Sequence, residues 1–486
     1  MRKFNHRLVA RLAGTLLLLL TAAMAAPIAV SLHSHDGVHM ALLMSALVMG
    51  GMGLVLHNMV GRKAEYELHE KESFWITALV WIVIPMSGAL PYVFTGTLPD
   101  YTDAMFESVS GFTTTGASVI SDPSAIPDGI LLWRAITQWI GGLGLVLFMV
   151  ALVKRLQVGS LQLYDAEFSG TQQRKLHPHI AKSVSRMWHI YTLITAAMAV
   201  TLTMAGNGVL DSVCLAMSTV STGGFMTAHN GLAGYSDTTM LIVTVFMFMS
   251  GINVALLYNF FTLRWRQLKG NQEFVVYVTV YLLAAASCTV AFGLSGNDWG
   301  RSAQYSVFHI ASTISTCGFY TATPTVWPFW VSVVTFLLTL CGASAGSTGG
   351  GLKLRRLMTI FLDLRNYFTK MLHPNAVFSV KIDHKVVPTE YVNKIYGFVF
   401  LYIMFIIGGA FVLTLCGSSI AEAFCMAANN ISNLGPSPLV NSMGANLEYA
   451  MLPDAAKWTL MVLMLAGRLE IFVLLAIVTP AYWKKR

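Results

Sequence analysis

Ten long apolar stretches dominate the chain and leave it few ways to fold. They lie near residues 12–31, 41–60, 73–95, 131–153, 187–206, 238–262, 274–294, 329–361, 391–416 and 457–482. Charged residues make up only 11% of the 486 residues, whereas soluble proteins carry about a quarter. Because about 20 apolar residues suffice to cross a bilayer as a helix, the sequence predicts an all-α polytopic membrane protein.

The first stretch has a second interpretation, because it also resembles a secretory signal peptide. Arg2, Lys3, Arg7 and Arg11 precede it, and the segment 23–25 has the small residues of a cleavage site. The stretch is long for a signal core, however, and retaining it gives a consistent topology. We therefore interpret it as a spanning helix.

The distribution of basic residues assigns an orientation to the ten spans. If the spans alternate from a cytoplasmic amino terminus, every lysine and arginine falls in a cytoplasmic segment except Arg134, Arg301, Lys457 and Arg468. The first three of these lie outside, and Arg468 lies within a span. By the positive-inside rule, this separation predicts that both termini are cytoplasmic.

Acidic residues dominate the predicted outer segments instead. They are Asp36, Asp100, Asp103, Glu107, Asp122, Asp128, Asp211, Asp237, Asp298, Glu422, Glu448 and Asp454. A mouth of net negative charge concentrates cations and raises their rate of entry. The set as a whole favours a cation-attracting vestibule, although any single member is more simply explained as a solvated loop charge.

A fourfold internal repeat is the most informative pattern in the chain. Apolar segments near 102–112, 210–221, 302–315 and 418–431 are too short to span a bilayer, which favours re-entrant pore helices. Each runs into a loop of small residues, which we call loops 1 to 4: residues 111–117, 219–225, 313–319 and 430–436. In every loop, Ser or Thr, then Thr or Asn, then a variable residue precede a glycine: Gly116, Gly224, Gly318 and Gly435.

This repeat divides the chain into five predicted parts around a central pore. Residues 1–72 form a two-helix segment, and the four units of span, pore helix, filter loop and span follow. The units cover residues 73–155, 156–270, 271–372 and 373–486.

Four loops that meet on one axis can supply the oxygen atoms that a potassium ion needs when it sheds its water. Glycine lets the backbone reach conformations in which carbonyl groups face that axis. The alternative is that the loops are tight turns between closely packed helices. The candidate filter residues are Thr114, Thr115, Gly116, Thr222, Gly223, Gly224, Thr316, Cys317, Gly318, Asn433, Leu434 and Gly435.

The same loops carry a family resemblance that covers nearly the whole chain. It rests on Thr113-Thr-Thr-Gly-Ala117, Gln138-Trp-Ile-Gly-Gly-Leu-Gly144, Ser221-Thr-Gly-Gly-Phe225, Ser315-Thr-Cys-Gly-Phe319, Ala345-Gly-Ser-Thr-Gly-Gly-Gly351 and Gly467-Arg-Leu-Glu470. The chain resembles the membrane subunit of bacterial Trk-type potassium uptake systems, within the superfamily that also includes KtrB. The two additional N-terminal spans favour the Trk branch. Loop 4 departs most from the common pattern, which makes the predicted ring asymmetric.

The resemblance has implications for the assembly and its location. It implies an inner-membrane homodimer with one pore in each subunit, above a TrkA-like cytoplasmic ring of nucleotide-binding regulatory subunits. Potassium is the expected permeant ion, and no organic cofactor is expected in this chain. Nucleic acid is not an expected partner, because the basic residues are spread over separate membrane loops, where contact with lipid is the simpler role.

The segment 342–351 interrupts a span just after loop 3 and is the first candidate for a gate. It contains five glycines, which cannot hold a firm helix. We interpret it, mainly from the resemblance, as an intramembrane loop that blocks the pore. A helix-packing surface or a phosphate loop would be the alternatives, but the latter lacks the required spacing. The candidate gate residues are Gly346, Ser347, Thr348, Gly349, Gly350 and Gly351.

Arg468 is the second candidate for the gate. A charge in mid-membrane is costly, so this side chain should face a partner or a water-filled path. Glu470, two residues on, points to another face of a helix and is a poor partner. The predicted role is a fixed positive charge under the filter, and the alternative is a structural ion pair. The nearby cluster of Lys353, Arg355 and Arg356 suggests a lipid anchor or a docking patch for the regulatory ring.

These patterns favour a gated, channel-like potassium pathway over two other classes. A symporter coupled to H⁺ or Na⁺ would need titratable groups within spans, and His309 is the most interesting candidate. A membrane enzyme would need clustered catalytic or metal-binding groups, and the sequence contains no H-E-x-x-H, G-x-S-x-G or acidic metal cluster. The six cysteines form no C-x-x-C pair, which argues against a disulfide framework or a zinc site.

Overall fold

The computed structural model describes residues 6–59, 70–144, 180–229, 231–261, 268, 270–321, 328–383, 385–435 and 449–479. Apart from one short hairpin and three 3₁₀ turns, the regular structure of this part is helical. The all-α architecture predicted from the sequence is confirmed.

The N-terminal segment consists of α1 (His6–Ala23), α2 (Ala25–Ser34) and α3 (His39–Asn58). The first two helices run on from one another and form one apolar span, and α3 returns alongside α1. A Cβ atom added to Gly14 would lie 2.6 Å from the main-chain nitrogen of His57. The absence of that atom therefore lets the two helices approach closely, as is common between membrane helices.

The first two repeat units have the predicted order of elements. In the first unit, α4 (Glu70–Gly88) and α5 (Leu90–Phe94) precede the pore helix α6 (Tyr101–Phe112), and α7 (Asp128–Gly142) follows it. The second unit consists of α8 (Ile180–Met204), the pore helix α9 (Val209–Val220), α10 (Asp237–Ser250) and α11 (Val254–Phe261).

The third and fourth units repeat that order. The third consists of α12 (Gln272–Leu294), the pore helix α13 (Trp299–Ile314), α14 (Phe329–Cys341) and α15 (Leu354–Leu372). A hairpin of β1 (Lys381–Ile382) and β2 (Lys385–Val386) leads to the fourth, which consists of α16 (Thr389–Leu415), the pore helix α17 (Ile420–Ile431), α18 (Asp454–Arg468) and α19 (Phe472–Val478). All four short apolar segments expected from the sequence are thus helices, with ends within a few residues of the predicted ones.

The helix that follows each loop is shorter than the sequence predicted. The spans predicted at 238–262 and 457–482 are not continuous, because α10 and α11 meet at 113° and α18 ends at Arg468 before α19 begins at Phe472. The predicted span 131–153 contains α7, which ends at Gly142, and its residues from 145 onward lie outside the described part. Only the break after Cys341 was expected. Six described helices are therefore long and apolar enough to cross a membrane unaided, and the bent pair would be a seventh.

The core lies around the pore helices, and the apolar surface faces outward. Every residue of α6 from Ala104 to Phe112 is buried. By contrast, α16 leaves Phe400, Ile403, Ile407 and Phe411 between 49% and 65% exposed. Such a surface is compatible only with an apolar solvent, because water would penalise so much exposed hydrocarbon. The fold is that of a multi-pass membrane protein with its loops at the centre.

Candidate permeation site

The four pore helices end in the same turn. The residue two positions before each loop glycine has a positive φ, which is 55° at Thr114, 57° at Thr222, 60° at Thr316 and 51° at Asn433. The main-chain N–H of the next residue donates to the carbonyl five positions back, and the equivalent bond recurs in all four loops at 2.8–3.0 Å. This is the Schellman arrangement, in which a left-handed residue ends a helix.

Threonine in that left-handed position is unusual, because a β-branched side chain is strained at positive φ. Glycine would adopt the turn without this penalty. A strained backbone persists only where its surroundings hold it, and such positions cluster at functional sites. The turn recurs in four units and is strained by threonine in three of them, with asparagine in loop 4, so the loops are the prime candidates for a function.

The four loops close into a ring. A Cβ atom added to Gly116 would collide with the carbonyl oxygen of Gly223, and one added to Gly224 would collide with that of Cys317. The same construction places a Cβ atom of Gly318 3.1 Å from the main-chain nitrogen of Gly435. Loop 4 in turn packs against loop 1, because a Cβ atom added to Gly435 would lie 2.7 Å from the carbonyl oxygen of Thr115. This last contact closes the ring.

All twelve predicted filter residues thus lie in one ring, and every described loop residue is buried. Loop 4 differs from the others, as the sequence suggested. Gly116, Gly224 and Gly318 have φ values of 78–82°, whereas Gly435 lies outside the left-handed region. Loop 4 continues at residue 436 outside the described part of the chain.

A side chain also ties loop 4 to its neighbours. The amide of Asn433 donates to the hydroxyl of Thr115 at 3.1 Å and to the carbonyl of Met464 at 2.9 Å. It therefore joins loop 4 both to loop 1 and to α18. Where the other loops carry threonine, this longer side chain makes a bond across the ring.

The segment 342–351 packs against loops 2, 3 and 4. The hydroxyl of Thr348 donates to the carbonyl of Val220 at 3.2 Å, and the N–H of Gly350 donates to the hydroxyl of Thr316 at 2.8 Å. A Cβ atom added to Gly350 would collide with the carbonyl of Ser432. The small residues of this segment thus allow it to lie directly against the turns that end the pore helices.

Three polar side chains outside the loops also bond to the backbone of the segment 342–351. Asn253 donates to the carbonyl of Ala345 at 2.6 Å, and the carboxylate of Glu273 accepts from the N–H of Ala345 at 2.5 Å. The ammonium group of Lys353 donates to the carbonyls of Ser347 and Gly349. The sequence analysis did not single out Asn253 and Glu273, although a polar residue within the predicted span 238–262 and an acid at the start of the span 274–294 were visible signals.

The basic cluster of Lys353, Arg355 and Arg356, which follows the segment 342–351, has partners within the protein. Arg355 lies 3.8 Å from Glu273, and Arg356 pairs with Glu470 at 2.6 Å and stacks over the ring of Phe398. All three basic side chains of the cluster, including Lys353, therefore interact with groups inside the protein. The buried carboxylate of Glu273 and the partly buried one of Glu470 thus provide internal partners, and the lipid anchor or docking patch that the sequence suggested stays a prediction.

Arg468 lies where several of these elements converge. Its guanidinium donates to the hydroxyl of Thr114 at 3.3 Å, to the carbonyl of Thr348 at 2.9 Å, and to the carbonyls of Gly141 and Gly142 at 2.6 Å each. The last two carbonyls end α7, where the helix dipole is negative and favours a cation. Arg468 thus links loop 1, the segment 342–351 and α7, while Glu470 has a different partner.

A buried ion pair joins the residues that follow loops 1 and 2. Arg134 binds the carboxylate of Glu107 at 2.8 Å, and Glu107 also accepts from the hydroxyl of Ser118 and the N–H of Val119. Arg134 in turn donates to the carbonyl of Met226 at 3.2 Å. Since Glu107 has no exposed surface, it does not belong to the solvated acidic mouth in which the sequence analysis placed it.

Replacing Glu107 with Gln is expected to destabilise the protein by about 3 kcal/mol, because it leaves the buried Arg134 without its counterion. The thermal unfolding of purified protein in detergent would measure this effect. The matched control is Asp122→Asn, which makes the same kind of change at an exposed carboxylate that caps a 3₁₀ turn. An equal loss of stability in both variants would contradict the special role of the buried pair.

Most of the remaining outer acids either cap a helix or lie in its first turn. Asp100, Asp298 and the pair of Ser419 and Glu422 provide N-terminal caps for three of the pore helices. Others lie in the first turns of helices, where negative charge offsets the helix dipole. Helix capping thus accounts for these positions individually, and the attraction of cations by the whole set stays a prediction.

His309 is buried within the third pore helix. Its Nε2 atom lies 3.2 Å from the hydroxyl of Thr321, within hydrogen-bonding distance. This contact fits the hydrogen-bonded pore-helix histidine that the sequence analysis preferred to a proton carrier.

Comparisons with known proteins agree with this architecture. The family model TrkH, described as a cation transport protein, matches residues 53–485. The Trk system potassium uptake protein TrkH of Salmonella typhimurium is 33% identical over 99% of this chain and 100% of its own length. The Trk system potassium uptake protein TrkG of Escherichia coli is 30% identical over 87% of each chain. The crystal structure of the potassium transporter TrkH from Vibrio parahaemolyticus matches with a TM-score of 0.88 and 29% identity, covering 99% of this chain and 100% of that one.

Proposed function

This chain belongs to the TrkH family of cation transport proteins, and on that premise we propose that it takes up potassium through the ring of its four loops. Its family makes it a transport protein and not an enzyme. The observation that carries the proposal is the closed ring, in which each loop glycine packs against the backbone of the next loop. The membrane in question is the bacterial inner membrane, with both termini in the cytoplasm.

In this proposal, main-chain carbonyls of the loops replace the water around the ion. Carbonyl oxygens at a shared axis can coordinate potassium because their dipoles substitute for those of the hydration shell. The four pore helices end at the ring, so their negative ends also favour a cation there. The twelve residues from Thr114–Gly116, Thr222–Gly224, Thr316–Gly318 and Asn433–Gly435 form the proposed filter.

We propose that the segment 342–351 and Arg468 form the gate. Both lie against the turns that end the pore helices, and Arg468 holds the carbonyl of Thr348 within the segment. An ion leaving the ring would meet both the backbone of this segment and the fixed positive charge of Arg468. The five glycines of the segment keep the energetic cost of moving it low, since they impose little conformational preference.

Permeation is proposed to be channel-like, with a symporter coupled to H⁺ or Na⁺ as the alternative. The hydrogen bond between Thr321 and His309 favours a structural role for that histidine. Among the described residues, the buried carboxylates Glu107 and Glu273 are both held by partners. Groups fixed in this way are poorly suited to carry protons across the membrane.

The relatives are named as members of a Trk system, which supports a complex of several components. We propose a homodimer that binds a TrkA-like cytoplasmic ring of nucleotide-binding subunits. The segment 342–351 leads directly into α15, so a force applied to that helix would reach the proposed gate.

The proposal is tested by ion flux into liposomes that contain the purified protein. Potassium is expected to enter down its gradient, at a rate well above that of sodium and without a pH gradient. Equal entry of both ions would contradict the filter, and potassium entry that requires an imposed proton or sodium gradient would favour the symporter. Empty liposomes provide the control for leak.

A further inference from the structure

Two side chains on one face of α7 reach across to loop 2. Arg134 and Gln138 are four residues apart, so they lie one above the other on the helix. Arg134 donates to the carbonyl of Met226, just after loop 2, and Gln138 bonds to the loop itself. A helix of the first repeat unit therefore holds the loop of the second.

The side-chain amide of Gln138 makes two hydrogen bonds to the backbone of loop 2. Its amide nitrogen donates to the carbonyl of Gly223 at 2.7 Å, and its amide oxygen accepts from the N–H of Phe225 at 3.2 Å. The hydroxyl of Ser218 also lies within hydrogen-bonding distance of that oxygen, and it shares its single proton between this oxygen and the carbonyl of Phe225. The amide cannot be turned around, because a main-chain carbonyl can only accept and a main-chain N–H can only donate.

This contact distinguishes loop 2 from the other loops. Among the described residues, no other side chain outside the loops donates to a carbonyl of the twelve filter residues. In loops 2 and 3, a pore-helix serine bonds to the carbonyl that follows the glycine, at Phe225 and Phe319. Within the described parts of the loops, loop 2 alone has the additional bond, at the residue before its loop glycine, Gly224.

The carbonyl of Gly223 is also the group against which loop 1 packs. A Cβ atom on Gly116 would collide with it, so a shift of this carbonyl would disturb the contact between loops 1 and 2. Gln138 has no exposed surface, and its bond is therefore not weakened by competing water. The amide thus fixes one oxygen at a junction of the ring.

We propose that Gln138 is a positioning residue that sets ion selectivity by holding the carbonyl of Gly223. This inference rests on the proposed function, because it assumes that the ring coordinates the permeant ion. Sodium is smaller than potassium, so the carbonyls must move inward to coordinate it. A carbonyl that already accepts a hydrogen bond from an N–H donor resists that movement. Part of the negative charge on its oxygen also interacts with the donor, so less of it is available to coordinate sodium.

The test is Gln138→Met, which keeps the length of the side chain but removes the donor and the acceptor. We expect the ratio of sodium to potassium flux in liposomes to rise by about 3- to 10-fold, the effect of one hydrogen bond. Both ions are measured in the same vesicles, so the ratio does not depend on the amount of active protein. A second variant, Gln138→Leu, should change the ratio in the same direction.

Trp139→Phe is the matched control. Trp139 is the next residue on α7, and its ring donates to the hydroxyl of Thr195, away from the loops. This variant also loses one hydrogen bond but should keep the selectivity of the unmodified protein.

The outcomes separate this inference from the proposed function. A selective unmodified protein whose Gln138 variants keep the same flux ratio would overturn the inference alone. An unmodified protein without selectivity would overturn the proposed function itself. If both Gln138 variants failed to fold while Trp139→Phe folded, Gln138 would be assigned to folding and the inference would be rejected.

Discussion

Replacing Gly224 with Ser is expected to reduce the ratio of potassium to sodium flux by about tenfold or more. The added side chain displaces a carbonyl of the proposed filter, and a loss of ~1.4 kcal/mol in the preference for potassium corresponds to tenfold. Gly224 has a φ of 78°, and its Cβ atom would collide with the carbonyl of Cys317. That carbonyl belongs to the proposed filter and would have to move.

The control for this prediction is Gly37→Ser. Gly37 has almost the same backbone conformation, with a φ of 79°, but a Cβ atom there would meet no atom within 4 Å. It therefore reproduces the backbone strain without the collision. Flux of both ions through liposomes measures the ratio, and an unchanged ratio in folded Gly224→Ser protein would remove loop 2 from the filter.

Gly318 allows a graded version of the same experiment. Its Cβ atom would lie 3.1 Å from the main-chain nitrogen of Gly435, so its neighbour need move only slightly. Ser at Gly318 should consequently erode selectivity less than Ser at Gly224. The sequence analysis had no basis for ranking these two glycines, because their local motifs are nearly the same.

Replacing Arg468 with Ala is expected to raise potassium flux by about 30-fold. Two like unit charges about 8 Å apart repel by about 2 kcal/mol at an effective dielectric constant of about 20, so removing one lowers the barrier for the ion. The substitution also removes the donor to the carbonyl of Thr348 and frees the segment 342–351. Flux is measured in liposomes and divided by the amount of folded protein.

Lys457→Ala is the matched control, because Lys457 is a buried base on the same helix whose partner is Asp103. It should not raise flux. Reduced flux in folded Arg468→Ala protein would identify Arg468 as a structural link between α18 and α7 rather than part of a gate.

A deletion of residues 347–349 separates the two parts of the proposed gate. If the backbone of the segment is the barrier, this deletion raises flux even though Arg468 is present. If the positive charge is the barrier, only Arg468→Ala raises flux. A deletion that folds, combined with an Arg468→Ala variant of unchanged flux, would count against gating by either element.

The sequence by itself determined the membrane environment, the all-α fold and the position of the four pore helices. These follow from properties of neighbouring residues, such as the length of an apolar run or the spacing of small residues in a loop. The four pore helices could be placed for that reason. The motif residues from Thr114 to Gly116 could likewise be recognised without any knowledge of their neighbours in space.

Only the tertiary structure decided how these pieces meet. The breaks after Ser250 and Arg468 leave main-chain groups that the folded protein must satisfy, and the N–H of Val254, for example, donates to the carbonyl of Gly346 at 3.2 Å. Arg468 and Thr114 are 354 positions apart along the chain, yet their side chains lie 3.3 Å from each other. Contacts of this kind depend on which distant surfaces fit together, and no local pattern of apolar and polar residues records that information.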